Sequence, residues 1–341
     1  MSAKSADLTT ARVEKNDEFY TQLVDIEKEM QYYTDYLRDK VVYVNCDDPV
    51  VSNFWRYFHM NFAALGLKKL ISTHYEKGSH SYAMIYTGGN DVNGYEGKVE
   101  ELKGDGDFRS DECIKYLQIA DIVVTNPPFS LFREYISQLI EYDKKFSVLG
   151  NMNAVTSKVI FNLFKENKVW YGRSITCGDR KFNVPDEYPL SAAGCGIDEN
   201  GQKYIKVKGV RWFTNMEHMR RHEYLNLTES YTPEKYPQYD NYKAIEVSKT
   251  LLIPKDYEGI MGVPITFMDK YCPEQFEILG HTHSGDLSER VEELRTDKKE
   301  RDRAVLNGKK MYDRILIKAK GICVESYDVV SDALEEEVTM V

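Results

Sequence analysis

Cysteine is scarce in this sequence of 341 residues and shows no metal-binding or disulfide pattern. The six cysteines are spread along the chain without a C-x-x-C pair, which supports neither a zinc site nor a disulfide framework. No apolar run approaches the roughly eighteen residues that a membrane-spanning helix needs. The first residues, MSAKSADLTTARVEK, lack the apolar segment of a secretory signal. We therefore expect a cytoplasmic protein with reduced thiols, no metal and no membrane partner.

An overall excess of basic charge is also missing, because the formal net charge is −10. Phosphate binding favours clustered Lys and Arg, so the average charge argues against a nucleic-acid partner. The charge is nevertheless segregated. Residues 151–221 contain twelve Lys or Arg against seven Asp or Glu, while residues 321–341 contain six acidic residues and no basic one. A local basic face and an ordinary solvated surface are both consistent with this distribution.

Apolar, β-branched runs alternate with stretches of helical periodicity, which is typical of an α/β protein with a parallel sheet. Strands are predicted at residues 41–46, 69–73, 99–102, 121–126, 146–150, 169–172 and 210–216. Helices that cross over between strands are predicted at residues 52–65, 110–119 and 131–142.

The composition of the sequence changes after residue 218. Residues 231–242 (YTPEKYPQYDNY) are rich in Tyr and Pro, which favours an extended, ordered loop. Residues 286–303 are almost wholly charged, which predicts a solvated helix or a mobile insertion. A last strand is predicted at 314–318, before an acidic tail that we expect to be disordered beyond Asp328. We predict a flexible tail at 1–13, a catalytic domain at 14–218, a smaller region at 219–320 and an acidic tail at 321–341.

The strongest chemical signal is ADIVVTNPPFS at residues 120–130, where a buried strand leads into Asn-Pro-Pro-Phe and then into a helix. Ligands bind at such strand ends in open α/β sheets. The residues of this loop suit methyl transfer to an aromatic amine such as the N6 amine of adenine, which is a poor nucleophile because its lone pair is delocalised into the ring. The side-chain oxygen of Asn126 and the backbone carbonyl of Pro127 can each accept one of its hydrogens, which favours the attacking form of the nitrogen.

The other residues of this loop fit the same chemistry. Pro127 and Pro128 fix φ at two successive positions and remove two donors, so the carbonyl is held toward the substrate. Phe129 offers an apolar face on which a base flipped out of a duplex can stack. The alternative interpretation is a rigid turn after a strand. We favour the catalytic interpretation because strand, turn and helix follow in order.

Acidic residues elsewhere predict contacts to a methyl donor that contains adenosine. In LKGDGDFRS, at residues 102–110, Asp107 can accept from the adenine amine of the cofactor while Phe108 packs on its ring. A Gly-Asp turn with a buried Phe is the alternative. Asp47 and Asp48 follow the first strand, and one could contact the cofactor while the other is a turn or cap residue. The absence of G-x-G-x-x-G there weakens a nicotinamide dehydrogenase interpretation, whereas S-adenosylmethionine has no pyrophosphate and tolerates this loop.

With an Asp-Phe pair followed by Asn-Pro-Pro-Phe, the chain resembles the EcoRI-type adenine-N6 DNA methyltransferases. The likeness also takes in NDEFYTQ, VVYVNCDDP, GLKKLI, YPQYDNY, GIMGVPITF and RILIK, and it covers most of residues 16–318. It implies a Rossmann-like sheet that binds S-adenosylmethionine, with a target-recognition region C-terminal to the catalytic loop. It further implies that Phe19, Tyr20 and Thr21 flank the methionine end of the cofactor. We also place Asn126 among the cofactor contacts.

The same resemblance implies a monomer that flips an adenine out of a palindromic site in double-stranded DNA, with a separate cognate restriction endonuclease as a possible partner. Local charge suggests five candidates for contact with DNA phosphates: Arg173, Arg180, Lys181, Arg220 and Arg221. One alternative is methyl transfer to a protein glutamine or an RNA base amine, since a planar nitrogen poses the same problem there. Another is a catalytically silent DNA-binding or regulatory protein, against which the intact Asn126, Asp107 and Phe129 argue.

Overall fold

The computed structural model describes residues 19–76, 78, 81–186, 188, 190, 194–282, 289–296 and 303–321. Both predicted tails lie outside these residues, apart from Gly321. In the part described, no helix is both long and apolar enough to cross a membrane.

The strands, in chain order, are β1 (Val41–Cys46), β2 (Lys69–His74), β3 (Tyr82–Tyr86), β4 (Lys98–Glu101), β5 (Ile122–Thr125), β6 (Lys145–Asn151), β7 (Trp170–Tyr171), β8 (Arg180–Asn183), β9 (Cys195–Ile197), β10 (Lys203–Val207), β11 (Val210–Thr214), β12 (Ile245–Glu246), β13 (Ile260–Pro264), β14 (Phe276–His281), β15 (Val305–Leu306), β16 (Lys309–Lys310) and β17 (Arg314–Ala319).

The α-helices follow the same order. They are α1 (Leu23–Met30), α2 (Thr34–Leu37), α3 (Asn53–Met60), α4 (Phe62–Leu65), α5 (Asp111–Ile119), α6 (Phe132–Glu141), α7 (Lys158–Lys165) and α8 (Glu289–Leu294). Short 3-10 helices lie at Phe129–Leu131, Met152–Thr156, Met219–His222, Thr250–Leu252 and Ile265–Lys270.

An eight-stranded sheet forms the centre of the molecule, in the order β4-β3-β2-β1-β5-β6-β11-β7. β1 pairs in parallel with β2 and with β5, and β5 pairs in parallel with β6. These four strands are buried along nearly their whole length, as expected when both faces of a parallel sheet are covered. The predicted α/β fold with a Rossmann-like, largely parallel central sheet is therefore confirmed.

Both edges of the sheet are antiparallel, which differs from the expected series of crossovers. β2, β3 and β4 form a meander on one side, and β11 runs antiparallel to β6 and β7 on the other. β3 is absent from the predicted strands. The predicted strand at 99–102 exists as β4. It follows β3 directly through a loop, without a crossover helix before it.

Side-chain caps mark the start of two helices, and backbone geometry marks the end of another. The Ser52 hydroxyl accepts from the Phe54 N–H at 3.2 Å before α3, and the Ser110 hydroxyl accepts from the Cys113 N–H at 3.2 Å before α5. The helix predicted at 52–65 is two helices, because Asn61 leaves helical geometry with φ −103° and ψ 11°. Gly66 then ends α4 with φ +64°.

The central sheet separates two hydrophobic cores. Alternate residues of β1 and β2 face opposite sides, so that Tyr43 and Ile71 belong to one core while Val42 and Leu70 belong to the other. A C-terminal sheet of order β12-β13-β17-β14 contributes one of its faces to the first core, while Leu279 and Leu316 belong to a separate small cluster. The region after residue 218 thus packs directly on the central sheet, and its separation as a second domain stays a prediction.

The remaining elements agree in part with expectation. Residues 231–242 form an extended loop without a helix, and β17 corresponds to the strand predicted at 314–318. Within the charged segment 286–303, the described residues 289–296 include α8. That helix is not wholly solvated, since Val291 is buried. A small antiparallel sheet of order β8-β10-β9 lies between β7 and β11 in the sequence.

Candidate active site

The catalytic loop predicted from the sequence follows β5, at the edge of the sheet where the parallel strands end. Thr125 ends β5, and its hydroxyl donates to the carbonyl of Asn45 near the end of β1. The Asn45 amide oxygen accepts in turn from the phenol of Tyr135 on α6 at 2.5 Å. The two strand ends and α6 are therefore joined directly beneath the loop.

Asn126 is buried, with 6 % of its surface exposed, and only one end of its amide has a partner among the described residues. Its Nδ2 donates to the backbone carbonyl of Phe19 at 2.6 Å. No group in the described part of the chain donates to its Oδ1. A buried acceptor without a donor is costly, which points to a missing partner at this position.

The rest of the loop is rigid and apolar. Pro127 is buried, while Pro128 and Phe129 are half-buried. The Pro128 carbonyl accepts from the Leu131 N–H at 3.0 Å, which starts a 3-10 turn. The ring of Phe129 meets the ring of Phe19 edge-on, with centroids 5.9 Å apart.

The segment before α1 lies directly against this loop. Tyr20 and Asn183 exchange two backbone hydrogen bonds of 2.8 and 3.0 Å, so the segment extends the small sheet at β8. The Thr21 carbonyl accepts from Asn53 Nδ2 at 2.7 Å. The Thr21 hydroxyl is buried and has no hydrogen-bond partner among the described residues. The structure thus brings Phe19, Tyr20 and Thr21 to the neighbourhood of Asn126.

Asp107 and Phe108 lie in the loop between β4 and α5. Arg109 binds both oxygens of Asp107, with distances of 2.9 Å from Nε and 2.5 Å from Nη2, and this pairing lowers the pKa of the Asp107 carboxyl. Phe108 is buried and meets the ring of Tyr135 at 5.0 Å. Gly106 has φ +80°, and a Cβ there would lie 1.8 Å from the His74 carbonyl oxygen. The loop is therefore pressed against β2.

The two aspartates after β1 differ in their surroundings. Asp48 accepts from the Val50 N–H at 2.9 Å and from the Tyr82 phenol at 2.6 Å, which is the pattern of a turn residue. Asp47 accepts from the Ser52 hydroxyl at 3.2 Å. Cys46, at the end of the strand, has φ +80°, a conformation that usually requires glycine. The strand end thus takes a left-handed conformation without glycine. Burial raises the pKa of the Cys46 thiol.

The five basic candidates all have partners within the protein. Arg173 lies over the ring of Tyr32 at 4.6 Å, and the side chain of Lys181 is paired with Asp198 at 2.8 Å. Arg180 and Arg220 donate to backbone carbonyls. Arg221 pairs with Glu217 and lies over the ring of Trp170. Arg180 and Lys181 lie on β8, whose last residue, Asn183, pairs with Tyr20 of the segment that contacts Asn126. Their contact with DNA stays a prediction.

Three residues of the site could not be found from the sequence, namely Asn45, Tyr135 and Asn183. Each acts by holding another residue that is distant along the chain. Tyr135 bonds to Asn45 across 90 positions, and Asn183 pairs with Tyr20 from a different sheet. No local pattern marks such contacts. Among the described residues, no group of three or more His, Cys, Asp or Glu is placed to hold a metal ion.

Two features define the class of the protein. The Rossmann-like sheet carries Asn-Pro-Pro-Phe at a strand end, and the buried amide oxygen of that Asn faces no donor in the described part of the chain. Together they are the features of a methyltransferase that acts on a planar nitrogen. Residues 7–320 match the family model described as adenine-specific methyltransferase EcoRI, and the chain belongs to that family. It is an adenine-specific DNA methyltransferase with S-adenosylmethionine as methyl donor.

Three relatives support this assignment. The type II methyltransferase M.EcoRI of Escherichia coli is 47% identical over 327 residues, which covers 92% of this chain and 96% of the relative. M.MpnI of Mycoplasma pneumoniae is 38% identical over 318 residues, covering 91% and 97%. M.MgeORF184P of Mycoplasma genitalium is 38% identical over 320 residues, covering 92% and 98%. The resemblance noted from the sequence is confirmed.

Proposed function

We propose that this enzyme methylates the N6 amine of an adenine flipped out of double-stranded DNA, and that residues 126–129 form its catalytic loop. The strongest support is the buried Oδ1 of Asn126, which has no donor among the described residues. An adenine amine placed there would supply the missing hydrogen. The neighbouring carbonyl of Pro127 would accept the second hydrogen, since the carbonyl of Pro128 already accepts from Leu131.

The chemistry follows from these two acceptors. With both hydrogens held, the N6 lone pair is drawn out of the ring and can attack a carbon. When bound, S-adenosylmethionine supplies that carbon as a sulfonium methyl group. The new C–N bond forms as the C–S bond breaks, and one N6 proton is then lost. Phe129, already packed edge-on to Phe19, would hold the flipped base in place by stacking.

The residues proposed to hold the cofactor offer suitable groups. The buried hydroxyl of Thr21 lacks a partner among the residues described, which suits the polar methionine end. Asp107 is an ionised acceptor beside the buried ring of Phe108, which suits the adenosine end. Both first-strand aspartates accept hydrogen bonds within the protein, Asp48 from Val50 and Tyr82 and Asp47 from Ser52, and we propose that one of the two also contacts the cofactor. Phe19, Tyr20 and Asn126 complete the proposed cofactor contacts.

We propose in addition that the enzyme acts as a monomer on a palindromic site, with residues 219–320 contributing to recognition. The type II names of the relatives support a restriction-modification setting, in which a cognate endonuclease would act separately. The family assignment favours DNA over the alternative acceptors, a protein glutamine or an RNA base amine.

Label transfer from radioactive S-adenosylmethionine to three acceptors tests this function. Duplex DNA, RNA and denatured protein are compared, and the products are digested and identified by mass spectrometry. We expect N6-methyladenine from duplex DNA alone among the natural acceptors. Label found in RNA, in glutamine or in cytosine would overturn the proposal.

A further inference from the structure

The catalytic amide has two ends, and they have different surroundings. Its oxygen is without a donor among the described residues, while its nitrogen donates to the backbone carbonyl of Phe19 at 2.6 Å. A carbonyl oxygen can only accept, so it requires a donor at this end of the side chain. The contact therefore fixes which way the amide is turned, and it directs Oδ1 away from Phe19.

The Phe19 carbonyl is itself held from several sides. The next residue, Tyr20, exchanges backbone hydrogen bonds with Asn183 of β8. Gln22 donates from Nε2 to the side-chain oxygen of Asn183 at 2.9 Å. The ring of Phe19 is 2 % exposed and packs 5.9 Å from the ring of Phe182. The small sheet thus sets the position of the carbonyl that faces the catalytic amide.

We propose that the backbone carbonyl of Phe19, fixed by the Gln22–Asn183 pair, orients the catalytic amide and requires a donor at this end of the side chain at position 126, which asparagine supplies and an ionised aspartate does not. The inference rests on the proposed role of Asn126. Asn183 and Gln22 are positioning residues in this arrangement, because they act on Asn126 only through the segment that carries Phe19.

The substitution Asn126→Asp tests the requirement for a donor. A carboxylate at this position would place one of its oxygens against the Phe19 carbonyl, and two acceptors at such a distance repel each other. The protonated carboxyl can instead donate to Phe19 and present its other oxygen to the adenine amine. Activity of the variant relative to the wild type should therefore rise as pH falls.

The surrounding groups act in the same direction. Titratable side chains also lie on the segments that the structure joins to the loop. They are Cys46 and Asp47 at the end of β1, Tyr135 on α6, Tyr20 beside Phe19, Tyr188 against the Phe19 ring, and Asp107 beside Phe108, which packs on Tyr135. Burial keeps the Cys46 thiol and the Tyr135 phenol neutral by raising the pKa of each. The pairing of Asp107 with Arg109 lowers the pKa of that carboxyl and keeps it ionised. Because position 126 is buried, an introduced carboxyl there should have a pKa above about 3.9, and an ionised carboxylate on any of these segments would act in the same direction.

The measurement is the single-turnover rate of methyl transfer at saturating cofactor and DNA, for both proteins, from about pH 8.5 down to about pH 5.5. Above the apparent pKa of the variant, we expect the ratio of variant to wild-type rate to increase about tenfold for each unit by which the pH is lowered. A ratio that is flat with pH, or a variant without activity at every pH, contradicts the proposal.

The Gln22–Asn183 pair is tested at constant pH with matched variants. Asn183→Ala removes the acceptor for Gln22 and should lower the single-turnover rate about threefold to tenfold. Asn183→Asp keeps an oxygen acceptor and should restore the rate. Gln202→Ala is the control, since Gln202 also donates within the small sheet, to Val184 and Lys203, at 3.2 and 3.1 Å. Equal losses in Asn183→Ala and Gln202→Ala would show only a general effect of the sheet and would refute the pair's role.

A readout without turnover separates this inference from the proposed function. In protein labelled with ¹⁵N-asparagine, the side-chain amide of Asn126 is the signal that disappears in Asn126→Asp. We expect slow solvent exchange of that amide in the wild type and faster exchange in Asn183→Ala. Fast exchange in the wild type would overturn the inference even if the enzyme methylates DNA. Slow exchange in a protein that methylates no adenine would leave the contact intact and refute the proposed function.

Discussion

Gly106 precedes the proposed cofactor residues Asp107 and Phe108, and the substitution Gly106→Ala should disturb both stability and cofactor binding. Two costs add at this position. A side chain at φ +80° is strained by about 1–2 kcal/mol. The new Cβ would also lie 1.8 Å from the backbone oxygen of His74, which cannot move aside as a flexible side chain could. The resulting shift should add about 1–3 kcal/mol.

Gly201 allows the two costs to be separated. It has the same φ of +80°, but an added Cβ would have no described atom within 4 Å. Gly201→Ala should therefore lose only the backbone contribution, about 1–2 kcal/mol. Urea unfolding gives the two free energies of unfolding, and titration calorimetry gives cofactor affinity. We expect the larger loss of stability, and the only loss of affinity, in Gly106→Ala. Equal destabilisation of the two variants would refute the contact with His74.

Three further predictions concern charged groups. Asp107→Ala should weaken cofactor binding about tenfold or more in calorimetry, since a charge-assisted hydrogen bond is lost; unchanged affinity would make Asp107 a turn residue. Because Arg109 lowers the pKa of Asp107 in the folded state, the pair should stabilise the fold above about pH 4, and this stability should be lost as the pH falls further. The urea unfolding midpoints of the wild type and of Asp107→Asn, measured as a function of pH, test this. Asp269→Ala should lower the free energy of unfolding by about 3–5 kcal/mol, because it leaves Arg211, which is 4 % exposed and paired with Asp269 at 2.6 Å, without its counter-charge. The control is the exposed pair of Arg290 and Glu277, where Arg290→Ala should lower the free energy of unfolding by less than about 1 kcal/mol.

The parallel centre of the fold could be predicted because its strands are buried on both faces and appear as continuous apolar runs. The ADIVVT run before Asn126 is the clearest case, since all four residues of β5 are buried. β8 and β9 could not be found in this way. They belong to a small sheet with partly exposed faces, and their residues, such as Arg180 and Lys181, carry no apolar alternation.

The candidate site likewise contains residues that are neighbours in the sequence and contacts between residues that are far apart in it. Asn126 to Phe129 could be proposed from the sequence because the chemistry needs neighbouring residues on one turn, and their catalytic role stays a prediction. The contact of Asn126 with Phe19 joins residues 107 positions apart, and only the fold places them together. Local charge also failed to show that Arg220 and Arg221 have partners inside the protein, because those partners include a backbone carbonyl and a tryptophan ring.

The central role of the Asn126 oxygen is tested most directly by the single-turnover rate of Asn126→Ala, with cofactor affinity measured on the same protein. The matched control is Asn61→Ala, which also loses an amide contact to a backbone carbonyl, at 2.8 Å, but at the end of α3. Loss of one preorganised acceptor at the reacting nitrogen should reduce the rate by about 100-fold to 1,000-fold. We expect that fall in Asn126→Ala with folding retained and with the control near the wild-type rate. A rate for Asn126→Ala close to that of the wild type would contradict the assigned role.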